Sequence, residues 1–135
     1  MTRGKILLLI PLAIITGLIV YTWTVVLFTD SAPVWRHYTA TVFLFVLIFL
    51  FFKDFKKTVI GTGIYLIIGT CNLSALTPSV MTNSYGIRIG TTEIWTPSFQ
   101  LLPFGLLLFF FILNFDALTN IYLDYKDTKQ NKKGK

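Results

Sequence analysis

The sequence predicts an all-α integral membrane protein: a four-helix transmembrane bundle with a short extracytoplasmic β-hairpin between helices 3 and 4. Three observations predict it. Apolar residues make up 54% of the 135 positions and charged residues 13%, about half the charged share of a soluble domain. The charges are clustered, so that 6–29, 38–52, 58–87 and 94–115 contain none. Crossing a bilayer core takes about 20 apolar residues of helix. Three of the stretches supply them. The second reaches that length once Trp35, Arg36 and His37 extend it into the headgroup region, with the arginine snorkelling outward.

A single membrane domain over 1–135 is expected, with helices at about 6–28, 35–52, 58–76 and 98–118. Arg3 and Lys5 precede the first apolar run. The run is longer than a signal-peptide core and no small-x-small cleavage site follows, so an uncleaved helix is expected. The second helix is apolar on every side after Thr41, the texture of a lipid-facing helix. The third differs. Placed at 100° per residue, Thr58, Gly61, Thr62, Tyr65, Gly69 and Asn72 share an arc of about 100°. Helix 1 carries a related stripe of Ala13, Thr16 and Gly17. Small residues let helix backbones approach in lipid, so helices 1 and 3 are expected to pack along these stripes. The other reading lines a small cavity with Thr62, Tyr65 and Asn72.

The fourth helix follows Pro97 and carries Gln100 and Asn114 near its ends. Phe115, Leu118, Ile121, Tyr122 and Tyr125 extend its apolar spacing into a basic tail over 119–135. Between helices 3 and 4, about 85–95 reads as the hairpin. A two-residue turn at Gly90-Thr91 sets Arg88 opposite Glu93, with Tyr85 and Trp95 at the base.

Lysine and arginine orient the chain. Arg3, Lys5, Lys53, Lys56, Lys57, Lys126, Lys129, Lys132, Lys133 and Lys135 fall on one side, and only Arg36 and Arg88 on the other. This bias places both termini in the cytoplasm and the hairpin outside the inner (plasma) membrane. It also accounts for the net charge of +6, so nucleic acid is not an expected partner. No Asp, Glu, Lys or Arg lies in the apolar core of a predicted span, which counts against proton-coupled transport. The single cysteine, Cys71, excludes an internal disulfide or a CxxC redox pair and reads as a small buried residue. No zinc-binding helix, phosphate loop or nucleophile–base motif is present, and no cofactor or metal is expected. An enzyme would have to gather the outer-surface residues Asp30, Arg36, His37, Arg88 and Glu93 into one cleft. The expected role is a non-enzymatic accessory, scaffold or assembly component. Its partners would be the lipid bilayer and a membrane protein or further copies of itself. The alternative is a small oligomeric transporter, channel or lipid-handling protein using the polar face of helix 3.

Overall fold

The computed structural model describes residues 3–29, 33–78, 86–89, 92–95 and 99–133. Four helices make up most of them: α1 (Arg3–Phe28), α2 (Trp35–Lys53), α3 (Phe55–Thr70) and α4 (Leu101–Lys133). Between α3 and α4, β1 (Gly86–Ile89) pairs antiparallel with β2 (Thr92–Trp95), Arg88 opposite Glu93. Three helices, α1, α2 and α4, are long and apolar enough to cross a membrane. The expected fourth is shorter than predicted. α3 has 16 residues, about 24 Å at the usual rise per residue, and stops six residues before the expected 76.

Successive helices run antiparallel: Trp23 late in α1 meets Thr41 early in α2, Leu47 late in α2 lies against Gly61 early in α3, and Gly69 late in α3 lies against Pro103 early in α4. They form a ring in the order α1, α2, α3, α4, with α4 closing against α1. The start of α1, the end of α4 and the α2–α3 joint share the proximal end of the bundle, and the opposite end is the distal one. A single non-helical residue, Asp54, makes the joint. Its carboxylate accepts from the Lys57 backbone N–H at 3.2 Å, capping α3. That bond holds the carboxyl below the usual carboxylate range.

Leu8, Leu12, Ile15 and Ile19 of α1 meet Ala40, Leu44 and Leu47 of α2, Val59, Tyr65 and Leu66 of α3, and Phe110 of α4 in one core. The inward face of α1 is therefore its large aliphatic stripe, and the expected α1–α3 packing along small residues is not what forms. Those helices lie across the diagonal of the ring and touch little. Ala13 and Gly17 are exposed. They edge a shallow apolar groove with Ile48 and Phe51 of α2. The Thr16 hydroxyl donates to the Leu12 carbonyl at 2.8 Å, so it needs no partner on another helix.

The glycines of α3 are close-approach points, but toward its ring neighbours. A Cβ built on Gly61 would lie 3.0 Å from Leu47 Cδ2 of α2, and one on Gly69 would lie 3.1 Å from Pro103 Cβ of α4. The proline ring is bonded to the backbone and cannot swing aside. Gly69→Val is expected to destabilise the bundle by about 1–3 kcal/mol. Gly17→Ala, where nothing lies within 4 Å, is expected to stabilise by up to about 1 kcal/mol through helix propensity. Detergent-micelle unfolding followed by circular dichroism separates the two.

Helix α4 continues beyond 118, as the apolar spacing through Tyr125 predicts, and runs to Lys133; it is broken at Asn114 (φ −111°, ψ 17°). There the side-chain amide donates to the Phe110 carbonyl at 3.2 Å, the acceptor that Asn114's own backbone N–H takes in an unbroken helix. A side chain inserted into the ladder is a recognised cause of a kink.

Candidate functional site

Polar residues of α1, of α2 and of the position just before α4 converge at the distal end on the segment that leaves α3. Two residues past the end of α3 stands Asn72, whose φ is 64°. Its N–H donates to the Gly69 carbonyl at 3.0 Å, and the Leu73 N–H to the Ile68 carbonyl at 3.1 Å. This is the double bond pattern of a helix closed by a left-handed residue, a place that asparagine tolerates better than most. Residues 73–78 then fold over the bundle end without helical bonds. Ser74, Ala75 and Leu76 are all buried.

Backbone buried this way needs partners, and the helices supply them. The Ala75 N–H donates to the Arg36 carbonyl at 3.2 Å. Gln100 Nε2 donates to the Ser74 carbonyl at 2.9 Å. The Thr22 hydroxyl donates to the Leu76 carbonyl at 2.9 Å. His37 accepts at Nδ1 from the Val34 N–H at 3.2 Å, so its Nε2 is the nitrogen that donates to the Thr77 carbonyl, also at 3.2 Å. The Asn72 side chain joins the helices across the top. Its Oδ1 accepts from Arg36 Nη1 and from Gln100 Nε2, each at 2.9 Å. Below this layer Trp23 Nε1 donates to the Thr41 hydroxyl at 2.7 Å, tying α1 to α2.

Several expectations change here. Asn72 is not on the polar face of α3 but in the turn beyond it, so it cannot line a passage with Thr62 and Tyr65. Arg36 does not snorkel away from the bundle. It is half-buried and bonded to Asn72. His37 is buried, with both ring nitrogens on backbone. Cys71, expected to be buried, is exposed. Asp30 and the Gly90-Thr91 turn lie outside the described residues, as do the side chains of Arg88 and Glu93. The gathered set is therefore Arg36, His37, Asn72 and Gln100. Thr22 carried no sequence signal, being one threonine among many, with its partner Leu76 54 positions away.

Replacing Gln100 by leucine keeps the volume but leaves the Ser74 carbonyl without its donor. The expected cost is about 1–3 kcal/mol, read as a lower unfolding midpoint in micelles.

The rest of α3's polar face is sealed. Thr58, Thr62, Tyr65 and Gly69 are buried. The two threonine hydroxyls donate to carbonyls one turn back, Asp54 and Thr58, at 2.8 Å. The Tyr65 ring stacks on Phe43 at 5.7 Å, its hydroxyl 3.5 Å from the Ala40 carbonyl oxygen.

The proximal end holds a cavity of about 290 Å³ between the starts of α1 and α3 and the kinked part of α4. Arg3, Lys56, Asn114, Asp116, Asn120 and Asp124 are its polar lining. Lys56 and Asp124 form an ion pair across it. No three metal-ligating side chains come together among the described residues.

No family model, no curated protein and no solved structure matches this chain.

Proposed function

We propose that this chain is a multi-pass protein of the plasma (inner) membrane that works by contact, as an accessory, scaffold or assembly component, without catalysis of its own. In this reading all four helices lie in the bilayer. Both termini and the α2–α3 joint face the cytoplasm, and the hairpin and distal cap face outward. The positive-charge bias supports that orientation. Phe28, Phe52 and Ile112 are 85%, 82% and 76% exposed, and such surfaces call for lipid or a partner helix as cover. α3 completes its crossing with the non-helical stretch after Thr70. Such backbone is tolerated at membrane depth where protein groups satisfy it, as Gln100, Thr22 and His37 do here.

The observation that carries the reading is the fate of α3's polar face. A transporter or channel needs polar groups turned to a water-filled path. Here those groups are buried, and the threonines are bonded within their own helix. What is left for function is outer surface.

Affinity purification from native membranes in mild detergent, with crosslinking and mass spectrometry, tests the proposal. A stoichiometric membrane-protein partner is expected, crosslinked through α1, α2 or α4. Recovery of a defined homo-oligomer that conducts solute in liposomes would overturn it.

A further inference from the structure

We propose that the outward stripe of α4 is a docking surface for anionic phospholipid of the proximal leaflet, held at its head group by Lys126 and Lys129. The inference rests on the membrane reading above. α4 has 33 residues, about 50 Å of helix, against a bilayer core of about 30 Å. At 100° per residue, Phe104, Phe111, Phe115, Tyr122, Lys126 and Lys129 share an arc of about 60°. All six are exposed, so one stripe runs from the span, past the kink at Asn114, into the extension.

The order of residues along the stripe matches the layers of a leaflet. The phenylalanines come first, at the depth of acyl chains. Tyr122 follows about 27 Å from Phe104 along the axis, where an interfacial aromatic belongs. Lys126 stands about 6 Å further on, within a head-group layer of roughly 5–8 Å, and the Lys129 stem is long enough to snorkel back into it. The ion pair of Asp124 with Lys56 ties this part of α4 to the level of the α2–α3 joint, where the apolar spans give way to charge.

The carboxylates lie elsewhere. Asp116, Asp124 and Asp127 all fall at least about 70° outside the arc. Asp116 and Asp124 line the proximal cavity with Arg3 and Lys56. The bundle thus turns two acids inward, and the stripe presents lysine without a compensating carboxylate. Such a surface favours a net anion. A phosphoglycerol head brings a phosphodiester and no cation, whereas a phosphocholine head sets its own cation against the lysines. An acidic protein could meet the lysines, but the phenylalanines would still need cover. A single lipid covers both ends, because it reaches from head group to mid-bilayer.

The full chain in phosphatidylcholine vesicles, probed by electron spin resonance with trace spin-labelled phosphatidylglycerol or phosphatidylcholine, tests this. The motionally restricted fraction should favour the glycerol lipid by about fivefold at low salt and lose that preference in about 1 M salt. Lys126→Gln with Lys129→Gln should remove most of the preference with the circular dichroism unchanged, and arginine at both positions should keep it. Lys126→Asp combined with Asp127→Lys preserves net charge but moves a cation off the stripe, and should also lower the preference. A preference untouched by the glutamine pair or by the exchange would belong to the overall charge of the tail and would overturn the proposal. A preference that persists in high salt would overturn it too, since it would not be electrostatic. No preference for the glycerol lipid would overturn it in favour of an acidic protein partner. Resistance to carbonate extraction is scored on native membranes. A chain that washes out would defeat the membrane reading itself, whereas a resistant chain with no lipid preference defeats only this inference.

Discussion

Phe110→Ala is expected to destabilise the bundle by about 3–5 kcal/mol, the usual cost of removing a fully buried aromatic ring. Phe110 is 0% exposed and sits where α4 faces α3. The ring fits because Gly63 opposite has no side chain. A Cβ there would come within 3.3 Å of Phe110 Cε1. α3 cannot collapse into the vacated space, because Gly69 against Pro103 and Gly61 against Leu47 already hold it at close approach. Phe110→Leu, which fills most of the volume, should recover more than half of the loss. Unfolding in SDS-containing mixed micelles, followed by far-ultraviolet circular dichroism, measures both. An alanine variant within about 1 kcal/mol of the wild type would mean that α3 and α4 do not pack as described.

Asn72→Ala is the second large effect, expected at about 2–5 kcal/mol from two separable causes. Alanine at φ 64° carries the left-handed penalty of about 1–2 kcal/mol. It also removes the acceptor shared by Arg36 and Gln100, a loss of about 1–3 kcal/mol. Asn72→Gly removes only the acceptor and should cost clearly less. Equal costs for glycine and alanine would show that the backbone is not left-handed there. A neutral glycine variant would show that the side-chain bonds do not hold the cap.

The parts of this fold legible in the sequence are those set by sums over many residues. The spans α1, α2 and α4 emerge from apolar composition and charge gaps, which do not depend on which atom meets which. The end of α3 is not legible, because the helical period continues through Leu73, Ala75 and Leu76 and no glycine or proline stands between Thr70 and Pro78. What ends the helix is the left-handed Asn72, and its bonds run to Arg36 and Gln100, 36 and 28 positions away. An asparagine near a helix end was the available signal, and the arc reading absorbed it as one more polar residue. The stripes of α1 and α3 misled for a different reason. Small residues mark where a backbone may be approached but not by whom, and the ring order puts those helices on a diagonal. The polar face of α3 was real as a pattern. Its chemistry was settled by Thr58 and Thr62 bonding within their own helix, which composition cannot reveal.

The measurement that tests the central claim most directly is water access to that face. In a Cys71→Ser background, Thr58→Cys and Thr62→Cys are small changes at buried positions, and Lys57→Cys is an exposed control. Each is treated with a membrane-impermeant maleimide in open native membranes, before and after SDS. A sealed, load-carrying bundle predicts labelling of the control alone in the folded state, with Thr58→Cys and Thr62→Cys reacting only after SDS. Labelling of both threonine positions in folded protein would place water along α3 and contradict the account.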